Sequence, residues 1–362
     1  MARYLEALAL LVAAAGFLSA ILAFAGGLWT GFDILEHLRL HMAAAALLFA
    51  AGAAALGFRW AAGGAALAVT INVAAVCSTP PAALYADAMP STHGLHTGGA
   101  ATITEAAAPQ GAPPTLRIMS FNILKSTDNA ARAAALIAAE RPDIVALQEF
   151  QHRDHALLDL LAKSHPHRTY CSKREACGVA LFSARPWRAS GIIADESHRI
   201  SADHHGRRAS VAWAVVEAPG VRPVLVMDVH PRKPIRRGRQ QVDYDFMVAQ
   251  LDALRPAGAP VIVAGDFNAT PWSRNIRWFA KETGLRWARH WQPTYSDRHL
   301  IPSVQIDHIF VSDDIRLQSI AELDAAGSDH RAIIAELVLP AAKPEPRAAP
   351  VAQIESNLPS VY

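Results

Sequence analysis

The segment VIVAGDFNATPWS (261–273) leads from an apolar run directly into polar side chains. Its first four residues have the character of a strand covered on both faces, which is typical of sheets in α/β proteins. Gly265 is followed by a carboxylate and an amide, Asp266 and Asn268, before a Pro-Trp-Ser turn. A buried carboxylate is costly unless it is paired, hydrogen-bonded or bound to a cation. We therefore expect the end of this strand to lie at a polar functional cleft.

Strand-like and helix-like segments alternate along the chain on both sides of this segment. Strands are predicted at 116–123, 143–150, 178–183, 209–217, 224–230, 261–267, 306–312 and 332–339. Helices are predicted at 129–142 and 239–256, each stopped by a proline. Most of these strands lack strict alternation, as expected when both faces of a sheet are covered. The pattern predicts an α/β or α+β class with layered sheets and helices outside.

Single polar residues recur at the ends of these apolar strands. They are Asn122, Glu149, His230, Asp266, Asn268, Asp307, Asp329 and His330. Ionisable groups at so many strand ends indicate one shared cleft that holds a cation. The alternatives are ordinary ones for each residue taken alone: a strand-end Glu at the surface, an Asn or Asp turn, or a solvated loop histidine.

Five motifs follow one another along the chain and together cover 115–340: LRIMSFNI, PDIVALQEF, GDFNATPW, QIDHIF and GSDHRAIIAEL. In this order they resemble the endonuclease/exonuclease/phosphatase superfamily, also called the DNase I-like fold. Each motif is weak by itself, but five in the family's order are specific. The resemblance implies a four-layer α/β sandwich of two mixed sheets. It also implies a phosphoester hydrolase that depends on Mg²⁺ or Mn²⁺.

Site roles follow from the resemblance, motif by motif. It implies metal ligation by Glu149, with Asn122 and Asp329 as further ligands or contacts to metal-bound water. It implies catalytic roles for His330, its orienting partner Asp307, the water-positioning Asp266, the phosphoryl-binding Asn268, and His230 facing the phosphate. His308, which neighbours Asp307 on a strand, should point to the opposite face and is interpreted as structural.

Basic residues near the expected cleft are weaker candidates for binding phosphate or an anionic headgroup. They are Arg207, Arg208, Arg232, Lys233 and Arg236. Such runs are as often simply solvated surface. Cys171 and Cys177 are close enough in sequence to form a disulfide in an oxidising compartment, and two free thiols are the alternative.

The first third of the chain has the composition of a membrane region. The chain is 52% hydrophobic and only 18% charged, and residues 1–116 contain three Arg and no Lys. The apolar segments at 5–29, 40–58 and 61–76 are close in length to the roughly 20 residues that span a bilayer. We predict three transmembrane helices; a cleaved signal peptide ending near residue 25 is the alternative for the first.

The positive-inside rule sets the expected orientation. With Arg3 and Arg59 cytoplasmic and Arg39 outside, three spans deliver everything after residue 80 to the outer side. The expected location is the bacterial inner membrane, multi-pass, with an extracytoplasmic catalytic domain. The predicted organisation is a membrane region at 1–79, a flexible linker at 80–114, a catalytic domain at 115–340 and a disordered tail at 341–362.

This organisation, rather than the fold, narrows the range of possible substrates, because enzymes with the same fold act on many phosphoesters. Beyond residue 116 there are 31 basic and 27 acidic residues, too small a surplus to indicate nucleic acid. The overall plan resembles a bacterial subgroup with N-terminal spans, including VanJ-like glycopeptide-resistance proteins. That resemblance implies a lipid-linked phosphate or pyrophosphate substrate, and no obligate protein partner is evident. The alternatives are an exported nuclease acting on nucleic acid and a catalytically silent, membrane-tethered binding module.

Overall fold

The computed structural model describes residues 1–26, 28–78, 83–84, 114–124, 129–151, 155–171, 177–194, 210–217, 220–235, 239–296 and 303–341. The predicted disordered tail lies outside these residues apart from residue 341, and so does the predicted linker apart from 83–84 and 114. Three of the basic candidates, Arg207, Arg208 and Arg236, also lie outside them.

The described residues of the predicted membrane region form four helices. They are α1 (Ala2–Leu22), α2 (Thr30–His37), α3 (Arg39–Ala55) and α4 (Arg59–Ser78). Helices α1 and α4 are each long and apolar enough to cross a membrane, whereas α2 and α3, bent by 74° at their junction, qualify only as a joined pair. The first helix is shorter than the predicted segment 5–29 and is followed by the separate short helix α2.

One of the two sheets has six strands. In sheet order they are β12 (Arg316–Glu322), β13 (Ile333–Val338), β2 (Thr115–Asn122), β3 (Ile144–Phe150), β5 (Gly178–Ser183) and β4 (His167–Tyr170). Strands β2 and β3 run parallel, and the other neighbours are antiparallel.

The second sheet has seven strands. In sheet order they are β1 (Ala83–Leu84), β10 (Arg286–Ala288), β11 (Asp307–Val311), β9 (Val261–Asp266), β8 (Val224–Val229), β7 (Ser210–Val216) and β6 (Trp187–Ala194). Strand β1 begins only five residues after α4 ends and pairs in parallel with β10 at the edge of this sheet.

The two sheets face each other, and helices cover their outer sides. A core of small and β-branched residues from both sheets, such as Ile118, Val226 and Ile262, fills the space between them. Helices α5 (Ala130–Glu140) and α6 (His155–Leu161) pack on the six-stranded sheet. Helices α7 (Arg239–Leu254) and α8 (Arg274–Thr283) pack on the seven-stranded sheet. This is the expected four-layer sandwich of two mixed sheets.

Cys171 and Cys177 are joined in a disulfide, with their Cα atoms 6.1 Å apart. The bridge lies between β4 and β5, and Cys177 belongs to the core between the sheets. The third cysteine, Cys77 in α4, is a free thiol.

Candidate active site

Strand ends from both sheets meet at one edge of the sandwich. In the seven-stranded sheet, Asp307 at the start of β11 is directly opposite Asp266 at the end of β9. Asn122 at the end of β2 faces them from the six-stranded sheet, with its Nδ2 3.1 Å from Asp266 Oδ2. His330 precedes β13 and joins the same cluster. The sheets therefore bring together residues that lie as much as 208 positions apart in the chain.

Gly265 fixes how closely β9 approaches its neighbour β8. Its φ is 155°, and a Cβ atom at this position would lie 2.0 Å from the carbonyl oxygen of Val229. No side chain fits there. The glycine before Asp266 is thus required by the close approach of the two strands, and it sets the position from which the Asp266 carboxylate projects.

His330 lies between two buried carboxylates. Its Nδ1 is 2.9 Å from Asp307 Oδ2, and its Nε2 is 3.6 Å from Asp266 Oδ2. At 2.9 Å the Nδ1–H donates to Asp307, which fixes the orientation of the ring and turns Nε2 toward Asp266. All three side chains are almost fully buried.

In the row formed by Asp307, His330 and Asp266, the electrostatics favour the charged forms of His330 and Asp266, whereas burial raises the pKa of Asp307. Burial opposes a charge on His330, but Asp307 and Asp266 raise its pKa from 6.5 to about 9. Burial also works against a charge on Asp266, but His330 and His230 hold the pKa of that carboxyl below its usual value. At neutral pH the row therefore contains an imidazolium next to an ionised Asp266.

Asn122 and Ser328 connect the six-stranded sheet to the row formed by Asp307, His330 and Asp266. The Asn122 amide also lies 3.4 Å from His330 Nε2, and its Oδ1 accepts the Leu124 N–H. Ser328 donates its hydroxyl to the Asn122 carbonyl at 2.7 Å and accepts the N–H of His330. Ser328 was not among the predicted site residues, although it stands in the GSDHR motif.

Glu149 lies beside this group, on the strand next to β2. It is the extra residue of a β-bulge in β3 opposite β5, and its φ is 60°. Bulges commonly redirect a side chain next to active sites. The neighbouring Gln148 points between the sheets, where its amide donates to Ser120 and Asp228.

Asp228 is a buried carboxylate beneath the site that the sequence interpretation missed. It accepts hydrogen bonds from Gln148 at 2.6 Å and from the Ala180 N–H at 3.1 Å. Burial raises its pKa well above the usual value. An acid inside the apolar strand VLVMDV is the signal that could have identified it.

Asn268 and His230 complete one side of the cleft. Asn268 has a φ of 49°, donates its backbone N–H to Asp266 at 2.8 Å and donates its Nδ2 to the Pro231 carbonyl. His230 Nε2 lies 3.4 Å from Asp266 Oδ2, within ion-pair range. Both residues are therefore placed with Asp266.

Asp329 is adjacent to His330 but is partly exposed and lies outside the close cluster. Burial lowers the pKa of His330. The Asp329 carboxylate helps to raise it, but by less than Asp307 and Asp266 do. His308 points to the opposite face, as expected, and its buried ring is hydrogen-bonded to the Ala269 carbonyl at 2.8 Å.

The two described basic candidates differ in their surroundings. Lys233 Nζ lies 5.1 Å from the centre of the Tyr295 ring, which in turn contacts the His330 ring at 4.8 Å. Arg232, by contrast, is held by Asp243 at 2.6 Å and is only 13% exposed. Its guanidinium is occupied inside the domain, so Lys233 is the better placed cation for an incoming phosphate.

The donor atoms in this cleft fit a hard divalent cation. Asp266 and Asp307 offer buried carboxylate oxygens, and one polar atom from each of Asp266, Asp307 and His330 lies within 4.8 Å of the others. As an imidazolium, His330 is not itself a ligand. Asp307 Oδ1 is buried without a hydrogen-bond partner among the described residues. Carboxylate and amide oxygens are the ligands that Mg²⁺ and Mn²⁺ prefer.

Comparisons with known proteins agree with this arrangement. A model described as the Endonuclease/Exonuclease/phosphatase family matches residues 119–330. The endonuclease/exonuclease/phosphatase from Bacteroides vulgatus has a TM-score of 0.50 and 20% identity, over 62% of this chain and 99% of that one. The endonuclease/exonuclease/phosphatase from Beutenbergia cavernae DSM 12333 has a TM-score of 0.49 and 22% identity, over 62% and 72%. Sphingomyelinase C from Streptomyces griseocarneus has a TM-score of 0.48 and 19% identity, over 62% and 99%.

No curated protein matches the chain. At 20% identity, the Bacteroides vulgatus structure shows a shared fold. The family model goes further, because its match runs over more than half of the chain, from the middle of β2 to His330. Both the two-sheet sandwich and this match lead to one conclusion: the chain belongs to the endonuclease/exonuclease/phosphatase family.

Proposed function

We propose that this protein is a membrane-anchored, Mg²⁺- or Mn²⁺-dependent phosphoesterase that hydrolyses a phosphoester or pyrophosphate at the outer face of the membrane. Members of its family are hydrolases that act on phosphoester bonds. The observation that carries the proposal is the buried row of Asp307, His330 and Asp266. The Asn122 amide contacts two members of this row, Asp266 and His330. Charged groups are rarely assembled in a protein interior without a catalytic or binding role.

The row supplies the parts that hydrolysis of a phosphoester needs. Asp266 would orient the attacking water and accept its proton as the new P–O bond forms. His330, held charged by Asp307, would stabilise the negative charge that develops on the phosphoryl group and the leaving oxygen. Asn268, fixed by its bonds to Asp266 and Pro231, would contact a phosphoryl oxygen.

A divalent cation would neutralise charge on the phosphoryl oxygens and polarise the phosphorus centre. Glu149 and Asn122 would hold it, with Asp329 contacting its bound water. The bulge at Glu149, next to the strand that carries Asn122, supports this assignment.

The order of the helices supports placing the catalytic domain and the N-terminus on opposite sides of the membrane. Contacts between His37 and Thr270 support placing the segment between α1 and α3 on the same side of the membrane as the catalytic domain. Helix α3 then leads away from that side and α4 returns to it, so Arg3 and Arg59 face the other side together. The positive-inside rule makes that other side cytoplasmic. The Cys171–Cys177 disulfide suits an oxidising outer compartment.

A lipid-linked substrate is favoured by an apolar groove in the membrane region. The groove has a volume of about 340 Å³ and runs along α1 and α3. Leu35 and Met42 line the end next to the catalytic domain, and Val12 and Phe49 line it deeper in the bundle. Met42 and Phe49 are seven residues apart, about 10 Å along the helix. The groove suits a hydrocarbon chain whose phosphate lies at the domain side.

The metal-dependent mechanism is tested with the full chain in detergent micelles and bis(4-nitrophenyl) phosphate as a generic substrate. Turnover should require Mg²⁺ or Mn²⁺ and should be lost in EDTA. Glu149→Gln and His330→Ala should each lower kcat/KM by about 10²–10⁴-fold with the fold intact. Glu217→Gln, an exposed carboxylate paired with Arg188, is the matched control. Undiminished turnover in EDTA would contradict the mechanism.

The substrate class is tested with three phosphoesters side by side: a polyprenyl pyrophosphate, phospholipid vesicles and plasmid DNA. We expect preference for the lipid-linked compound. Preference for DNA, with a steep dependence on salt, would instead favour the nuclease alternative. No turnover of any substrate, with metal bound, would favour a silent binding module.

A further inference from the structure

The junction between α2 and α3 lies directly against the catalytic domain. Trp272 donates its indole N–H to the Glu36 carbonyl at 2.9 Å, and Arg277 lies 3.4 Å from the Glu36 carboxylate. Arg277 also donates to the Trp272 carbonyl. Glu36 is buried in this contact. A helix of the membrane region is thus bound to the segment that follows catalytic strand β9.

His37 makes the contact closest to the catalytic row. Its Nδ1 lies 3.2 Å from the backbone nitrogen of Thr270 and 3.1 Å from the Thr270 hydroxyl. Because a backbone N–H can only donate, Nδ1 is the unprotonated nitrogen of the ring and Nε2 carries the proton. Thr270 is two residues from Asn268 and four from Asp266.

In the loop from Phe267 to Thr270, each residue has a backbone group that is hydrogen-bonded to a side chain from another part of the chain. The Phe267 carbonyl accepts from Tyr244, the Asn268 carbonyl from Gln240, and the Ala269 carbonyl from His308. These three side chains belong to α7 and β11 of the catalytic domain. The fourth, on the Thr270 N–H, is His37 from the membrane region.

Further hydrogen bonds hold the loop within the catalytic domain: the Phe267 N–H donates to the Ile306 carbonyl, and the Asn268 N–H donates to Asp266. Asn268 adopts a φ of 49°, a left-handed conformation that costs free energy for a residue other than glycine. Such a conformation persists only where the surroundings enforce it. Side-chain bonds to successive backbone groups are part of the enforcement seen here, and one of them comes from outside the catalytic domain.

We propose that His37 is a positioning residue for the reaction, acting through Thr270 to fix Asp266 and Asn268, so that the membrane region completes the catalytic centre. The inference rests on the proposed phosphoesterase function. Displacement of catalytic groups by about 1 Å can lower a rate by about 10²-fold. Loss of the His37 bond should therefore reduce turnover without changing any group that contacts substrate.

The test compares three substitutions of His37 in the full chain, assayed in micelles with soluble bis(4-nitrophenyl) phosphate. His37→Ala should lower kcat by about 10- to 100-fold and leave KM nearly unchanged. His37→Asn should restore much of the rate, because the asparagine Oδ1 takes the place of Nδ1 as acceptor. His37→Gln, whose longer amide reaches the position of Nε2, should not.

Hydrogen exchange provides a readout that does not depend on activity. The Thr270 amide should exchange faster in His37→Ala than in the wild type, and His37→Asn should restore its protection. Thr70→Val is the control, because the Thr70 hydroxyl donates to Ala66 of its own helix. Wild-type kcat and wild-type exchange in His37→Ala would overturn the proposal. If the wild type hydrolyses no phosphoester, the proposed function fails, whereas the exchange measurement still decides whether His37 holds the loop.

Discussion

Replacing Asp307 by asparagine should remove the main interaction that keeps His330 charged. The two side chains are 2.9 Å apart, and the pKa of His330 is raised from 6.5 to about 9. A shift of about 2.5 units corresponds to about 3 kcal/mol of preference for the imidazolium, at about 1.4 kcal/mol per unit. In the variant, burial is opposed only by the more distant Asp266 and by Asp329. We expect the pKa of His330 to fall to 6.5 or below.

The same shift has a consequence for stability. A histidine whose pKa is higher in the folded than in the unfolded state stabilises the fold fully below its unfolded pKa. For His330 this stabilisation is present below about pH 6.5 and is lost as the pH rises through about 9. The wild type should therefore lose about 3 kcal/mol of unfolding free energy from this residue across that range, and Asp307→Asn should lose much less.

The measurement is a histidine-selective NMR titration of the metal-free full chain, with the His330 signal identified by its absence in His330→Gln. Unfolding at about pH 6 and about pH 10 gives the stability difference. Asp329→Asn is the matched control, because Asp329 is the last of the contributors to the His330 shift. A His330 pKa that stays near 9 in Asp307→Asn would refute this account of the row.

Two further results are expected. Gly265→Ala should destabilise the fold by several kcal/mol in thermal unfolding, since its Cβ would lie 2.0 Å from the Val229 carbonyl oxygen; Gly220→Ala, with φ of 72° and open space around it, should cost only about 1–2 kcal/mol. Equal losses in the two variants would show that steric contact is not the cause. A reporter fused after residue 362 should be active only outside the cytoplasm, and Cys171 and Cys177 should then resist alkylation until reduced; a cytoplasmically active reporter would reverse the proposed orientation.

All eight strands predicted from the sequence are present. Each is an apolar run with one face packed against the other sheet and the other face packed against helices. Of the five strands that the prediction missed, four (β1, β4, β6 and β12) are the edge strands of the two sheets, and the fifth, β10, has only three residues. Strand β6 is an edge strand that is mostly half-exposed, and β12, at the edge of the other sheet, mixes charged and apolar residues. Edge strands lack the continuous apolar pattern on which the prediction depended. Helix α8 did carry a signal, namely the Ser273 cap, whose hydroxyl accepts the Ile276 N–H.

The strand-end residues could be identified because the fold brings strand ends together whatever lies between them in the chain. Other contacts follow no such rule. His37 and Thr270 are 233 residues apart, and neither residue belongs to a motif that would indicate the other. Likewise, Arg232 looked like a surface cation, and only the placement of Asp243 on the adjoining helix shows that it is neutralised.

Strand β1 and helix α2 attach the N-terminal helices to the two-sheet sandwich at two separate places, on β10 and on the loop after β9. Strand β1 begins five positions after the last residue of α4, a reach of at most about 18 Å. Two such attachments remove the freedom to swivel that a single tether would leave. With the helices in a bilayer as proposed, the cleft has a fixed orientation relative to the lipid surface. A substrate carried in that surface would then reach the cleft by diffusion in two dimensions.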